Sequence, residues 1–332
     1  MVIEDKLREN AALYPDKVAL VCGEKSLTYR QLYQAIKDKA DSMGDIRGCL
    51  IPIVAYSTVD FFITYFALHL TGAVAVPLHK DIPAKKLNDY AETLEQGIVP
   101  EEVADILFTT GTTGNAKAVM ISYQTIIANA ENLVLSQGFS HDVTFIINGP
   151  LNHIGSLSKV YPTIYVGGTI HVIDGMKDIK AFFTAIDDAP NKVATFLVPA
   201  AIRILITLWK KELIAVADKI DFVETGAAPL AATDMKLFCE LLPHSRLYNT
   251  YASTETGIIS TYDYNDGANL AGCVGHKMKH SSFFITADGY VACKGKTLMT
   301  GYWNDEEATR NVLKDGVIRT ADLGRIDEKG RL

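Results

Sequence analysis

The chain has 332 residues, of which 48% are hydrophobic and 21% are charged, and its net charge is −7. This length predicts a packed protein of two or three structural units, and the acidic balance without a basic tract argues against a nucleic-acid partner. The five cysteines are scattered and contain no C-x-x-C pair, which argues against a zinc site or disulfide framework and favours the reducing cytoplasm.

One apolar segment, residues 61–78, approaches the length needed to span a membrane. Gly72 and Pro77 interrupt it, so we expect a buried helix to about Leu70, a turn, and a short strand at Val74–Val76. The sequence therefore predicts no membrane span.

Short apolar strands alternate with longer helical patterns up to about residue 257. The predicted strands are Val18–Val21, Leu50–Ala55, Val74–Val76, Ile106–Phe108, Val143–Ile147, Thr169–Ile173, Ala194–Val198 and Phe222–Thr225. The predicted helices are Tyr29–Met43, Tyr123–Gln137, Asp178–Asp188, Ala200–Lys210 and Ala231–Leu241. This alternation is typical of an α/β protein with mostly parallel sheets and helices on both faces.

The sequence pattern changes after residue 257, where Gly, Asp and Asn recur between short apolar runs. The short runs Ser282–Thr286 and Tyr290–Cys293 flank an Ala-Asp-Gly turn, which predicts antiparallel strands in a small barrel-like subdomain. Residues 325–332 read as a strand, a turn and the first residues of a second strand. A hairpin that stops in mid-strand leads us to expect a truncated chain.

A polar loop follows the strand that ends at Phe108. It contains four threonines, two glycines and one lysine, namely Thr109, Thr110, Gly111, Thr112, Thr113, Gly114 and Lys117. Backbone N–H groups, hydroxyl donors and a cation in one small volume are what a polyphosphate requires. The spacing does not fit the common phosphate loop G-x-x-x-x-G-K-[ST], and a flexible linker is the alternative interpretation.

An aromatic ring, a hydroxyl and a carboxylate follow a later strand at close spacing. They are Tyr251, Thr254 and Glu255. An aromatic face suits a purine, and a carboxylate oxygen suits Mg²⁺ that substrate phosphates also bind. The alternative is a helix cap formed by Ser253 or Thr254 with the acid that follows.

The order [ST]-[ST]-G-T-T-G-x-x-K at residues 109–117, followed by Tyr251-Ala-Ser-Thr-Glu255, resembles the adenylate-forming superfamily. This superfamily contains acyl- and aryl-CoA ligases, adenylation domains of peptide synthetases and beetle luciferases, and the acid–CoA ligase branch is the closest. The resemblance covers nearly the whole chain and implies the N-terminal large domain. It implies an α/β core of two packed, mostly parallel sheets over about residues 1–257 and a mainly β subdomain over about 258–332. The family's C-terminal small domain would lie beyond this chain.

The resemblance implies a site for ATP and Mg²⁺. The loop from Thr109 to Lys117 would hold the β- and γ-phosphates, and Tyr251 would stack on adenine. Thr254 would contact the α-phosphate, and Glu255 would hold Mg²⁺. Each of these roles agrees with the chemistry of the side chain.

Two further elements complete the nucleotide site that the resemblance implies. The family's G-G-A-P-L-like turn corresponds to Gly226, Ala227 and Ala228, which would lie against adenine and the acyl group. Residues 319–322 resemble the family's R-T-G-D element, in which the carboxylate of Asp322 would accept bonds from both ribose hydroxyls.

The acyl side of the site has one family-like segment. Pro150, His153 and Gly155 match P-x-x-H-x-x-G in part, and the resemblance implies that His153 lies beside the substrate carboxylate. The alternative is an ordinary packed histidine. Lys159 and Arg203 lie on otherwise apolar helical patterns, so they are either surface cations or partners for a second carboxylate of the substrate.

The activity that the resemblance implies has two steps: ATP-dependent formation of an acyl-AMP from a carboxylic acid, then thioester formation with CoA. Lys117, His153, Thr254 and Glu255 are the candidate catalytic residues, and ATP, Mg²⁺ and CoA are the implied cofactors and co-substrates. Because the family's second domain contributes a lysine to the first step, we expect this truncated chain to be impaired in adenylation and unable to form the thioester.

Two alternatives stay open. A stand-alone adenylation domain that loads a carrier protein is favoured by Asn249, a residue more typical of that branch and a further candidate for nucleotide binding. A non-catalytic nucleotide-binding relative is favoured by departures from the family pattern, such as Ala116 and Ala118 within the loop and Ala321 before Asp322.

Overall fold

The computed structural model describes residues 2–83, 85–87, 99–109 and 116–332. The helices in this part of the chain are α1 Ile3–Leu13, α2 Tyr29–Met43, α3 Val59–Thr71, α4 Tyr123–Gln137, α5 Ile154–Tyr165, α6 Ile179–Asp188, α7 Pro199–Leu208, α8 Lys210–Ala215, α9 Ala232–Leu241 and α10 Glu306–Val312. The strands are β1 Val18–Cys22, β2 Lys25–Thr28, β3 Leu50–Val54, β4 Val74–Leu78, β5 Val103–Phe108, β6 Ala118–Ser122, β7 Thr144–Ile147, β8 Thr169–Val172, β9 Val193–Phe196, β10 Ile220–Gly226, β11 Arg246–Ser253, β12 Gly257–Asp263, β13 His276–Lys277, β14 Ser281–Ile285, β15 Tyr290–Gly295, β16 Gly301–Tyr302, β17 Leu313–Lys314 and β18 Val317–Leu323.

The largest sheet has nine strands in the order β13-β12-β11-β10-β9-β7-β8-β1-β2. Its six central strands run parallel, and antiparallel strands close it at both edges. Parallel strands are joined by helices, which cover both faces of such a sheet and explain its apolar strands.

The second sheet has five strands in the order β16-β6-β5-β4-β3. Strands β3, β4 and β5 are parallel, whereas β6 returns antiparallel to β5 and pairs with the short strand β16. The third sheet, β14-β15-β18-β17, is antiparallel and forms the C-terminal subdomain where the sequence predicts a barrel-like unit. The predicted fold class, α/β with two packed sheets and a small antiparallel subdomain, is confirmed.

Helix α3 lies in the apolar core between the two large sheets. Its side chains Tyr65, Phe66 and Leu68 have no exposed surface. The helix ends at Gly72, whose φ of 75° is the left-handed conformation that glycine adopts readily. The predicted buried helix followed by a turn and a strand is therefore confirmed.

None of the helices in the described part of the chain is both long enough and apolar enough to cross a lipid bilayer.

The apolar core has two main parts, one on each face of the nine-stranded sheet. The first lies between the two large sheets and includes Phe62 of α3, Val119 of β6 and Phe145 of β7. The second packs helices α6, α7 and α9 against the opposite face, with Phe182 and Phe238 buried. Both faces of the sheet are thus shielded from water, as its apolar strands require.

A buried ionic network ties α1, α3 and α5 to strand β5. His69 Nδ1 lies 2.6 Å from Glu4 Oε1, and His69 Nε2 lies 3.0 Å from Asp105 Oδ1. Tyr65 and Tyr161 both donate hydrogen bonds to the other oxygen of Asp105. Burial by itself lowers the pKa of His69, but the two carboxylates outweigh it and raise the pKa to about 10.

Stability should therefore fall on the alkaline side of neutrality. His69 has an ordinary pKa of 6.5 in the unfolded chain and about 10 in the folded protein, so its contribution is complete below pH 6.5 and is lost as pH rises towards 10. We expect the free energy of unfolding to fall between pH 7 and pH 9.5 by up to about 1.4 kcal/mol per pH unit.

Urea denaturation at a series of pH values measures this slope, and the variant His69→Gln is the control because it cannot titrate. An equal slope for the variant and the wild type would contradict the assignment to His69.

Candidate active site

The two ends of the threonine- and glycine-rich loop are held together by the β5–β6 pair. The N–H of Thr109 donates to the carbonyl of Lys117 at 3.0 Å, and the N–H of Lys117 lies 3.3 Å from Oγ1 of Thr109. The predicted phosphate-binding residues Thr110, Gly111, Thr112, Thr113 and Gly114 lie outside the described residues. The hydrogen bonds between Thr109 and Lys117, which continue the β5–β6 pairing, set the positions of the two ends of the loop.

A cavity of about 580 Å³ lies at the carboxyl ends of the parallel strands, next to the end of β5. The predicted site residues that line it are Thr109, His153, Gly226, Ala227, Thr254, Glu255 and Asp322. They come from widely separated segments, and the carboxyl end of a parallel sheet is where α/β proteins bind ligands. Lys117, Ala228 and Asn249 are not part of this lining.

Glu255 is held from two sides at the edge of the cavity. Its Oε1 accepts a hydrogen bond of 3.0 Å from the hydroxyl of Tyr302, and its backbone oxygen accepts one of 2.8 Å from Met299. The ammonium of Lys117 lies 4.6 Å from the centre of the Tyr302 ring. The tyrosine thus connects the lysine of the loop with the candidate metal ligand.

The sequence interpretation missed Tyr302, because the segment Gly301-Tyr-Trp-Asn reads as structural. No signal in the sequence links it to Glu255, which lies 47 positions earlier. Burial and the neighbouring Glu255 raise the pKa of the Tyr302 hydroxyl, so it remains a hydrogen-bond donor at neutral pH.

Tyr251 and Asp322 meet although 71 positions separate them. The hydroxyl of Tyr251 donates to Asp322 Oδ2 at 2.5 Å and also approaches Thr320 Oγ1 at 3.2 Å. Both residues line a second cavity of about 550 Å³, and Asp322 lines the first cavity as well. The candidate adenine and ribose contacts are therefore neighbours, and Asp322 joins the two cavities.

The alternative interpretation of this segment, a helix cap at Ser253 or Thr254, is wrong. Strand β11 continues to Ser253, and a tight turn leads directly into β12 instead of a helix. Within the turn, Ser253 Oγ accepts the N–H of Thr256 at 3.0 Å. Thr254 and Glu255 lie at the tip of this hairpin and face the cavity.

The turn after β10 approaches its neighbour very closely. A methyl group at Gly226 would lie 2.7 Å from the carbonyl oxygen of Thr250, so only glycine fits this position. The next residue, Ala227, has a φ of 64°, a left-handed conformation that disfavours any side chain. The backbone of this turn can therefore come close to a ligand in the cavity.

Asn249 is buried and engaged elsewhere. Its amide donates to the carbonyl of Cys273 at 2.8 Å and so holds the segment that follows β12. This contact gives Asn249 a structural role in the fold.

His153 lies at the start of α5, on the wall of the cavity. Its Nδ1 accepts a hydrogen bond of 3.0 Å from the N–H of Gly155, which leaves the proton of a neutral ring on Nε2. Desolvation by the surrounding wall lowers the pKa of His153 below its ordinary 6.5. The ring is therefore a neutral hydrogen-bond donor at pH 7.

Lys159 is a buried partner of Glu224, and the prediction of an exposed cation is wrong for it. The two side chains are 2% and 1% exposed, and Lys159 Nζ lies 2.6 Å from Glu224 Oε1. Arg203, in contrast, is a surface cation that pairs with Asp234 at 2.7 Å and lies away from the cavity. Neither residue offers an unpaired cation to a substrate.

Together these features define an α/β protein with a composite polar site at the carboxyl ends of its parallel strands. The family model for AMP-binding enzymes matches residues 7–96 and 88–303. The chain belongs to this family of AMP-binding enzymes, which confirms the adenylate-forming class predicted from its motifs.

The chain is similar to two groups of curated CoA ligases. It is 26% identical to indoleacetate–CoA ligase of Aromatoleum aromaticum, with 100% of this chain and 78% of the relative covered. It is 24% identical to a 2-succinylbenzoate–CoA ligase of Bacillus cereus, with 98% of this chain and 76% of the relative covered.

Two solved structures have the same fold. The N-terminal domain of FACL13 from Mycobacterium tuberculosis superposes with a TM-score of 0.86 at 21% identity, covering 99% of this chain and 98% of that one. O-succinylbenzoate CoA synthetase from Bacillus subtilis, solved with ATP and magnesium ion, has a TM-score of 0.85 at 20% identity, covering 98% of this chain and 78% of that one.

The strained turn at residues 226–228 generates a stability prediction. Ala227→Gly relieves the left-handed conformation, whereas Ala228→Gly on the same exposed turn gains nothing because Ala228 has no positive φ. Both variants increase the entropy of the unfolded chain equally, so we expect Ala227→Gly to be more stable than Ala228→Gly by about 1–2 kcal/mol. Urea denaturation of the two variants measures this difference, and equal stabilities would contradict it.

Proposed function

We propose that the protein is an AMP-forming acid–CoA ligase, which activates a carboxylic acid with ATP to an acyl-AMP and transfers the acyl group to the thiol of CoA. The curated relatives are acid–CoA ligases, which supports this reaction class. The observation that carries the proposal is the cavity into which five separate segments bring Thr109, His153, Gly226, Glu255 and Asp322.

The nucleotide would lie across the boundary between the two cavities. Asp322 borders both of them and would accept hydrogen bonds from the ribose hydroxyls, while Tyr251 beside it would stack on adenine. The close backbone of Gly226 and Ala227 would form the opposite edge of the adenine site. Asn249 is retained in the proposal only as a support, because its amide is already bonded to Cys273.

The phosphates would extend from Thr254 towards the paired ends of the loop at Thr109 and Lys117. Glu255 fits a Mg²⁺ site, because Tyr302 occupies only one of its carboxylate oxygens and a single carboxylate with phosphate oxygens is a common Mg²⁺ ligand set. When bound, Mg²⁺ would neutralise charge on the phosphates. Tyr302 would fix the orientation of Glu255 and of the Lys117 ammonium together.

His153 would orient the acid for attack on the α-phosphorus. Its Nε2–H is the group left to meet the substrate carboxylate, since Nδ1 is bonded to Gly155. A neutral donor holds a carboxylate in place without the stronger pairing that a protonated ring would give. The in-line approach of an anion to a polyanion makes such positioning, together with the cation of Lys117, the main contribution of this chain.

The proposal also assigns two parts of the chain to regions of the family's large domain. Residues 1–257 would form the α/β core and residues 258–332 the mainly β subdomain of the family's N-terminal large domain. This chain covers 78% of the indoleacetate–CoA ligase and 76% of the 2-succinylbenzoate–CoA ligase. We place the protein in the cytoplasm, because Cys22, Cys49, Cys239, Cys273 and Cys293 are all free thiols.

Substitution of the candidate metal ligand tests the site. Glu255→Gln keeps the hydrogen bond to Tyr302 but removes the charge. In a longer protein that includes the family's C-terminal small domain, we therefore expect a loss on the order of 10²–10³-fold in acid-dependent ATP–pyrophosphate exchange. Titration calorimetry should show weaker binding of Mg-ATP but equal binding of ATP in EDTA. The exposed Glu212→Gln on α8 is the matched control.

Wild-type affinity of Glu255→Gln for Mg-ATP would remove Glu255 from the proposal. In a longer protein that also includes the family's C-terminal small domain, nucleotide binding without exchange for any acid would favour the non-catalytic relative. In the same longer protein, acyl transfer to a phosphopantetheinyl carrier but not to CoA would favour the carrier-loading enzyme.

A further inference from the structure

The wall of the first cavity contains a buried polar cluster that the proposed steps do not use. It consists of Ser158 and Lys159 on α5 and Glu224 on β10, all three of which line the cavity. Each is at most 2% exposed. We call this set the Ser158–Lys159–Glu224 cluster.

The hydrogen-bonding capacity of the cluster is incompletely used. Lys159 Nζ donates to Glu224 Oε1 at 2.6 Å, while Glu224 Oε2 and Ser158 Oγ are buried atoms without a hydrogen-bond partner among the described residues. A buried polar group without a partner loses about 1–3 kcal/mol relative to one that is paired. A substrate group that reaches the cluster and pairs with these atoms would recover that free energy.

The charge of the cluster decides which group fits. Lys159 and Glu224 form one ion pair, so the cluster is neutral as a unit. A second substrate carboxylate would face Glu224, and a substrate ammonium would face Lys159, and each would leave a net charge buried away from water. A neutral hydroxyl can donate to Glu224 Oε2 and accept from Ser158 or Lys159, since it is both donor and acceptor.

The remaining wall is apolar near the cluster. Ile154, Phe196 and Ile258 line the same cavity, and the Phe196 ring centre lies 5.5 Å from Lys159 Nζ. This surface suits the hydrocarbon or aromatic body of an acid whose polar group lies at the cluster.

We infer that the protein selects a carboxylic acid that carries a neutral hydroxyl group, which binds the Ser158–Lys159–Glu224 cluster. The inference rests on the proposed function, because it takes this cavity as the site of the acid. The inference excludes a diacid as the substrate, because Lys159 is paired with Glu224 and is not free to bind a second carboxylate.

Four linear six-carbon acids that differ only in the group at the far end test the inference, namely hexanoate, 6-hydroxyhexanoate, adipate and 6-aminohexanoate. The aromatic pair benzoate and 3-hydroxybenzoate is tested beside them. Titration calorimetry measures the binding of each acid to the full chain in the presence of Mg-ATP, and ATP–pyrophosphate exchange is recorded in parallel. We expect at least one hydroxy acid to bind more tightly than its parent acid on the order of 100-fold, and the charged analogues to bind more weakly than the parent.

Variants assign the preference to the cluster. Lys159→Met alone would strand a buried carboxylate, so both charges are removed together in Lys159→Met/Glu224→Met, a replacement that is often neutral for stability. We expect this double variant and the milder Ser158→Ala to lose most of the hydroxyl preference, measured as the ratio of the affinities for the hydroxy acid and its parent acid. The surface pair Arg203→Met/Asp234→Met is the matched control and should keep the preference.

Tighter binding of adipate or of the parent acids would overturn the inference, as would a hydroxyl preference that survives in both cluster variants. Failure of the proposed function has a different signature: a hydroxyl preference in binding, abolished in the variants, with no exchange for any acid even in a longer protein that includes the family's C-terminal small domain. Absence of binding by every acid would overturn both.

Discussion

Strand β5 is the element on which the rest of the site depends, because different interactions fix its middle and its carboxyl end. In its middle, Asp105 is buried between His69, Tyr65 and Tyr161, so the strand cannot shift along its axis without breaking a charged network. At its end, Thr109 exchanges backbone and side-chain contacts with Lys117. A one-residue slip would turn Asp105 to the opposite face of the sheet, so register and loop position are specified together.

The site is assembled from contacts that join the nine-stranded sheet to the other two sheets. Asp322 on β18 meets Tyr251 on β11, and Tyr302 on β16 meets Glu255 at the turn after β11. In both cases a tyrosine hydroxyl donates to a carboxylate and so fixes the direction of its unoccupied oxygen. The same contacts that hold the three sheets together therefore orient the groups proposed to bind ribose and Mg²⁺, which couples the stability of the packing between sheets to the geometry of the site.

Local signals in the sequence predicted the elements that depend on them. Helices α2 and α4 have the predicted bounds, because Thr28 and Ser122 cap their first turns and glycines follow their last residues. The motifs identified seven of the 17 residues that line the cavity, and five of these seven lie at or just after the end of a strand. The partners of these residues were not predictable, because the bond from Tyr302 to Glu255 spans 47 positions and that from Lys159 to Glu224 spans 65. Without the partner, a lysine on an apolar helix reads as a surface cation.

The two buried ionic groups of the core differ in where their unpaired oxygens lie. In the His69 network, the ring uses both nitrogens and Asp105 accepts bonds at both oxygens, but Glu4 Oε2 has no hydrogen-bond partner among the described residues. In the Ser158–Lys159–Glu224 cluster, one carboxylate oxygen and one hydroxyl are likewise unpaired, and this cluster lines the cavity where the acid is proposed to bind. An unpaired oxygen therefore does not by itself mark a group that recognises a substrate. The position of the cluster on the wall of that cavity gives its unpaired oxygen a role that the Glu4 oxygen, which does not line the cavity, cannot have.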